Sequence, residues 1–358
     1  MTQPGEPTKP ETNPDLTNPD LLREAALRRL PECFGVKAEV KLPPLPALVD
    51  HFVSLFDQVW KAVGRHCSAE ELAEFRAVLE AKLQATWNVS QYSKVVVTYE
   101  TDVAPNPRLK WSVGVEVLNL SDAYESWLRT REAPYFGVHA DTKVQELARS
   151  LGKPAQVAIL DVGAGSGRNT FALAREGFPT DGLEIAPTLA SMLREEASKQ
   201  RLPVRVFEGN LFDFSLALPL NRYRMIVLAE VASHFRGMLN FRGLFQRSAK
   251  LLRPGGLLVF SAFLAHEGCE PSPLARQLSQ VRWCSLFSRE DLREALSGEP
   301  FELVSDESVS EVEKRNLPAE HWPPTGWFES WAAGRDLYDL PSDESACELR
   351  WLVYRRTA

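Results

Sequence analysis

The stretch LDVGAGSGRN, residues 160–169, sets Gly163, Gly165 and Gly167 at alternating positions between an apolar run and an amphipathic one. Without a Cβ, such residues let the chain turn sharply and let a ligand approach the backbone, while the following helix offers unpaired N–H groups. They serve either as a tight strand-to-helix turn alone or as a ligand cradle, and three glycines exceed what one turn needs. The spacing is G-x-G-x-G, not the G-x-G-x-x-G of dinucleotide sites. Asp161 ends the strand two residues before the first glycine. A pyrophosphate over this turn meets a like charge, whereas a ligand carrying an ammonium and a sulfonium is attracted.

S-adenosylmethionine (SAM) has those cations, and a nicotinamide dinucleotide brings phosphates instead. Glu184, at the end of the next strand, is placed to accept from both ribose hydroxyls, or is a solvated strand-end acid. Asn210 and Leu211 follow a third strand in GNLF. Asn210 suits an adenine N6 contact or the capping of its own turn, and Leu211 offers an N–H or an apolar face to the ring.

The elements that must position these residues alternate strand and helix from Ala155 onward. VAILDVG, TDGLEI, VRVFEGN, YRMIVLAEV, LLVFSAFLA, FELVSDESV and CELRWLVYRR read as strands, separated in the main by helical runs. Short apolar strands joined by helices predict an α/β, doubly wound, mostly parallel sheet. Upstream, Leu48, Phe52, Leu55, Phe56 and Val59, then Leu72, Phe75, Val78, Leu79 and Leu83, recur at helical spacing, with Ser68 and Glu71 as a capping box. KVVVTYETD and RLKWSVGVEV around the turn DVAPNPR predict a β-hairpin. Ser121 is expected to cap a short helix, and the PYFG loop precedes the next one. The organisation expected is a disordered tail and Pro-rich linker over 1–46, with LLREAALRRL as a candidate short helix, a helical and hairpin extension over 47–130, and the nucleotide-binding domain over 131–358 with an aromatic insertion at 316–346.

Composition narrows the classes. The 358 residues are 44% hydrophobic and 25% charged, as in ordinary globular proteins, and the net charge of -7 disfavours nucleic acid as a partner. No apolar run reaches the ~18–20 residues of a membrane helix, and MTQPGEPTKP lacks the apolar segment of a secretory signal. Five scattered cysteines, without a CxxC pair, suit a reducing cytoplasm.

With these residues in view, the sequence resembles the class I SAM-dependent methyltransferases. ILDVGAGSGRN, DGLEIAP, VFEGNLFDF, YRMIVLAEVASHF and LLRPGGLLVFSA match in order and spacing over roughly residues 138–310. GRNTFALAREGF looks like the tellurite-resistance and thiopurine-type small-molecule enzymes. The resemblance implies a Rossmann-like seven-stranded sheet whose last strand, CELRWLVYRR, is antiparallel. It implies SAM as cofactor, with Asp161, Gly163, Ala164, Gly165, Ser166, Gly167 and Asn169 along its methionine part. Glu184 and Ile185 would hold the ribose, Asn210 and Leu211 the adenine, and Leu228 and Ala229 would border the sulfonium. Asn210 departs from the Asp that many members carry. Tyr135 and Phe136 are candidates for an aromatic lid, or for a staple on the next helix.

Methyl transfer is an in-line displacement that needs alignment and dryness more than protein functional groups. A base is required only for an acceptor proton of high pKa, and His234 and Glu230, just beyond the fourth strand, are the candidates; His234 equally suits capping or packing. LAEVASHF lacks the (D/N)PP(Y/F) tetrad of amide and exocyclic-amine methylation. His266, Cys269 and Cys284 form no recognised zinc spacing, and no metal is expected. Trp322, Trp327, Phe328, Trp331 and Tyr338 in the insertion either pin it to the sheet, line an acceptor pocket or form a dimer contact. The reading is a cytoplasmic SAM-dependent methyltransferase of a small-molecule acceptor. The alternatives are a non-catalytic SAM-binding interaction protein and an enzyme acting on protein or RNA. Acceptor, pathway and oligomeric state stay open.

Overall fold

The computed structural model describes residues 16–103, 108–340 and 345–357. The chain divides into two compact units, residues 1–117 and 118–358. The expected disorder of the first residues, part of the DVAPNPR turn and a short piece of the insertion lie outside the described residues.

The first unit contains α1 (Pro19–Arg29), β1 (Val36–Leu42), α2 (Val49–Ala62), α3 (Ala69–Val89), β2 (Lys94–Thr101) and β3 (Leu109–Glu116). α1 is the short helix that LLREAALRRL offers, and β1 is a strand where tail and linker were expected. The reason is tertiary: β1 pairs antiparallel with β2 along its whole length, completing a three-stranded sheet β1-β2-β3. Alternation in β2 turns Val95, Val97 and Tyr99 onto the helices, where they meet Phe56, Trp60, Phe75, Leu79 and Leu83. Trp60 completes the buried stripe of α2, while Leu55 is 39% exposed. Ser68 and Glu71 form the capping box of α3.

The second unit runs α4 (Leu120–Leu128), α5 (Thr142–Ser150), β4 (Ile159–Val162), α6 (Arg168–Arg175), β5 (Thr180–Glu184), α7 (Pro187–Lys199), β6 (Arg205–Glu208), β7 (Tyr223–Leu228), α8 (Met238–Leu251) and β8 (Leu252–Ala265). It continues with α9 (Pro273–Leu278), β9 (Leu286–Phe287), α10 (Arg289–Leu296), β10 (Phe301–Ser308), α11 (Val309–Asn316), α12 (Phe328–Ala332) and β11 (Cys347–Arg356). The unit begins before α4, not at residue 131, so the helix expected in the extension belongs to this body. Asn119, with Asp122, caps α4, because Ser121 instead donates to the Ile185 carbonyl at 3.1 Å.

Seven strands lie in the order β10-β11-β8-β7-β4-β5-β6. β4 to β8 are mutually parallel and β11 runs antiparallel to both neighbours, as the motifs implied. An eighth strand, β9, pairs with β8 through two residues, too few to leave a periodic signal in the sequence. Both faces are covered. Phe241, Phe245 and Leu292 of α8 and α10 pack on one. Val144, Leu173, Val312 and Phe328 of α5, α6, α11 and α12 pack on the other. From β4 the chain goes to β5 and β6 on one side and to β7 and β8 on the other, which opens a crevice at the carboxyl ends of β4 and β7.

Gly167 closes the β4–α6 turn at φ 93, where an added Cβ would overlap the Phe171 ring and Leu193. Gly167→Ala is expected to lose roughly 2–4 kcal/mol from backbone strain plus overpacking, read from urea unfolding of the full chain.

Candidate functional site

At that crevice the end of β4 turns through Gly163 (φ 69) and Gly165 (φ 55). The N–H groups of Gly163 and Ala164 both donate to the Leu183 carbonyl, at 2.8 and 3.1 Å, which moors the turn to β5. A Cβ on Gly163 would stand 2.5 Å from Val231, and one on Gly165 3.1 Å from the Phe136 ring. The turn is thus pressed between the segment after β7 and an aromatic loop.

Two carboxylates flank it. Asp161, 3% exposed, accepts a 2.6 Å hydrogen bond from Thr170 Oγ1. Burial pushes its pKa up to about 7, against the pull of that hydrogen bond. Glu184 accepts from the N–H groups of Gly165 (2.8 Å), Ile185 (2.9 Å) and Ala186 (2.9 Å). Burial raises its pKa, and these three donors oppose the rise. Next to them Arg168 bridges Asp141 at 3.0 Å and Glu230 at 3.1 Å. Asn169 exchanges two hydrogen bonds with Asp141, at 2.8 and 2.9 Å. Glu230 itself adopts φ 63, uncommon for a residue with a side chain, and its N–H donates to Ser261 Oγ at 2.7 Å.

The cavity over this floor measures about 590 Å³. Its roof is aromatic: Phe136 stacks on Trp127 at 5.5 Å and 15°, and Tyr135 lies 5.9 Å from the same indole. His234, in the turn after β7, shares a 2.7 Å hydrogen bond with the Tyr124 hydroxyl. Burial pushes its pKa down to about 4, so the imidazole is neutral at physiological pH.

Of the residues singled out from sequence, Asp161, Gly163, Ala164, Gly165, Ser166, Asn169, Glu184, Ile185, Ala229, Glu230, His234, Tyr135 and Phe136 line this one cavity. Four do not. Gly167 faces Phe171 and Leu193. Asn210 spends its carbonyl oxygen on the Phe212 N–H at 2.9 Å, capping its own turn. Leu211 and Leu228 are buried in the core, because the pleat that turns Ala229 outward turns Leu228 inward. Of the insertion's aromatics, Trp322, Phe328 and Tyr338 pack with the sheet's core, while Trp327 and Trp331 also reach the cavity. His266 bonds to the Ser345 carbonyl, and no group of three or more metal-ligating side chains occurs among the described residues. Sequence reasoning missed Arg168, Tyr124, Trp127, Trp283 and the rim residues Arg131 and Arg282. Arg168 alone had a signal, its place directly after the last glycine of the turn.

A family model described as a methyltransferase domain matches residues 132–306. Over that segment the chain is similar to methyltransferase domains. The demethylmenaquinone methyltransferase of Tropheryma whipplei (strain Twist) is 30% identical over 116 residues, 32% of this chain and 45% of that protein. The chain thus spans about half the length of the curated relative it matches. A solved structure of geranyl diphosphate C-methyltransferase from Streptomyces coelicolor A3(2) is 16% identical, with a TM-score of 0.44, over 60% of this chain and 80% of that one. No helix among the described residues is long and apolar enough to cross a membrane.

The Asp161 carboxyl, pushed up by burial to about 7 from the 3.8 of a free aspartate, favours the protonated folded state. Its burial therefore costs nothing below the lower value, costs progressively more as pH rises between the two, and costs most above the higher. Asp161→Asn keeps an oxygen for Thr170 and removes the charge. Its melting temperature is expected to exceed that of the parent at pH 8, by the equivalent of roughly 2–4 kcal/mol, and to converge with it toward pH 4.

Proposed function

We propose that this cavity binds SAM and that the protein transfers its methyl group to a small-molecule acceptor. The observation that carries the reading is the pairing of Asp161 and Glu184, two buried carboxylates on adjacent strand ends, across a turn whose glycines leave room for a ligand against the backbone. An acidic floor favours a cationic ligand over a pyrophosphate. When bound, SAM supplies a methyl group on a sulfonium, an electrophile that needs no activation by the protein.

The chain's own residues then have distinct tasks. Asp161, Ser166 and the turn's backbone would face the methionine part, and Glu184 and Ile185 the ribose. Arg168 keeps Glu230 and Asp141 neutralised close by. Phe136, Tyr135 and Trp127 exclude water from the roof. Tyr124 and His234 share one hydrogen bond between Oη and Nε2 at the cavity wall, and an imidazole pushed down to about 4 suits orienting an acceptor better than taking its proton. A volume of about 590 Å³ under an aromatic roof fits small ligands better than a polymer lying in an open groove.

Calorimetry with SAM and with S-adenosylhomocysteine tests this. Micromolar binding is expected, weakened at least tenfold by Asp161→Ala and by Glu184→Ala, with no binding of NADH. Because the cation selects ionised Asp161, affinity should rise with pH up to about 7 and then level off, with proton release near neutrality. Absence of SAM binding at pH 8 sinks the reading.

A further inference from the structure

The strand order divides the cavity into two halves. The glycine turn and Glu184 belong to β4 and β5. The opposite wall belongs to β8 and its partners: Trp331 rests on Phe263 of β8 at 5.0 Å, and residues 282–284 lead into β9, which pairs with β8. The Ser285 N–H donates to the Ser233 carbonyl at 2.8 Å, tying this segment to the turn that carries His234.

This second half has features that packing alone does not call for. Trp283 sits at φ 57, a left-handed conformation that is unfavourable for a bulky side chain, and lines the cavity. Strain of this kind persists where the surroundings enforce it, characteristically at ligand sites. Trp327 is 46% exposed at the rim, 5.4 Å from Trp331. The Arg131 guanidinium lies 5.8 Å over the Trp127 ring, in the roof above the glycine turn, and is not part of this wall. Arg282 has a carboxylate, Asp336, no nearer than 4.0 Å, with 55% of its side chain exposed. Glu132 is the acid on the same rim, and Glu230 deeper inside is occupied by Arg168. Flat apolar walls with a poorly neutralised guanidinium group at the mouth are complementary to a planar anion.

We propose that the acceptor taken by the half of the cavity over β8 is an aromatic carboxylic acid, its ring against Trp283, Trp327 and Trp331 and its carboxylate at Arg282. The assignment rests on SAM occupying the other half. Arginine recognises a carboxylate through paired N–H donors, so a carboxamide of the same shape loses most of the attraction.

The test uses the full chain, loaded with S-adenosylhomocysteine and also unloaded, titrated by calorimetry with 2-naphthoate, 2-naphthamide and 2-naphthylmethylamine. The expected result is naphthoate binding at least tenfold tighter than the amide and tighter still than the amine. The Arg282→Gln variant should lose that preference while keeping its affinity for S-adenosylhomocysteine, which reports an intact fold. Trp327→Ala should weaken acid and amide alike. Equal binding of acid and amide, preference for the amine, or binding of S-adenosylhomocysteine with no naphthoate binding would overturn the proposal and leave the donor reading standing. Failure of S-adenosylhomocysteine to bind would instead remove the donor reading, and naphthoate titration of the unloaded chain would still decide the acceptor half.

Discussion

A carboxylate buried at the end of a parallel strand is the constraint around which the second unit is organised. Asp161 has one side-chain partner, Thr170 from the first turn of α6, and little water. A group in that position is unstable as an anion until a cation arrives, which is a liability in folding and an asset in binding. The surroundings accept that cost by fixing everything near it. The glycine turn is moored to Leu183, Glu184 ties the turn to the start of α7 through three backbone donors, and Thr170 is held by the helix it begins.

A second polar network extends the same stiffness outward. Asp141 at the head of α5 receives Asn169 and Arg168, and Arg168 reaches Glu230 in its left-handed conformation. Glu313 of α11 accepts from the N–H groups of Thr142 and Lys143 at the start of α5, and from the Thr142 hydroxyl and the Trp351 indole of β11. Two charge-assisted clusters, one joining α6 to the end of β7 and one joining α11 to β11, thus meet at the adjacent residues Asp141 and Thr142 where α5 begins. Such a network specifies a single geometry because any unpaired member would be buried without compensation.

The aromatic roof follows different physics. Phe136 and Trp127 stack on each other and on the glycine turn through dispersion and ring geometry, with the Arg131 guanidinium over the indole. A layer of this kind can open and close over a ligand at modest cost, whereas the floor beneath it cannot shift without unpairing charges. The division between a rigid ionic floor and an apolar roof suits a site that must admit a charged cofactor and then keep water out.

Local sequence determined the elements whose signal lies within one or two turns of chain. These are the glycine turn with Asp161 before it, the acid ending the next strand, the capping box at Ser68 and Glu71, and the alternating strands of the hairpin. Their spacing, together with the charge of Asp161, pointed to a cofactor class. Only tertiary structure decided what depends on partners far along the chain. β1 is a strand because β2 offers it an edge, and two-residue β9 exists because β8 does. Asn210 was legible as a polar residue after a strand, but its competing bond to Phe212 settled where its side chain points. Arg131, Trp127, Trp283 and Trp327 meet around one cavity from segments separated by up to about two hundred residues, and no periodicity links them. Backbone conformation is written in neighbouring residues, because steric and hydrogen-bonding preferences are local. The composition of a cavity wall is not, because it follows from the order in which the strands pack.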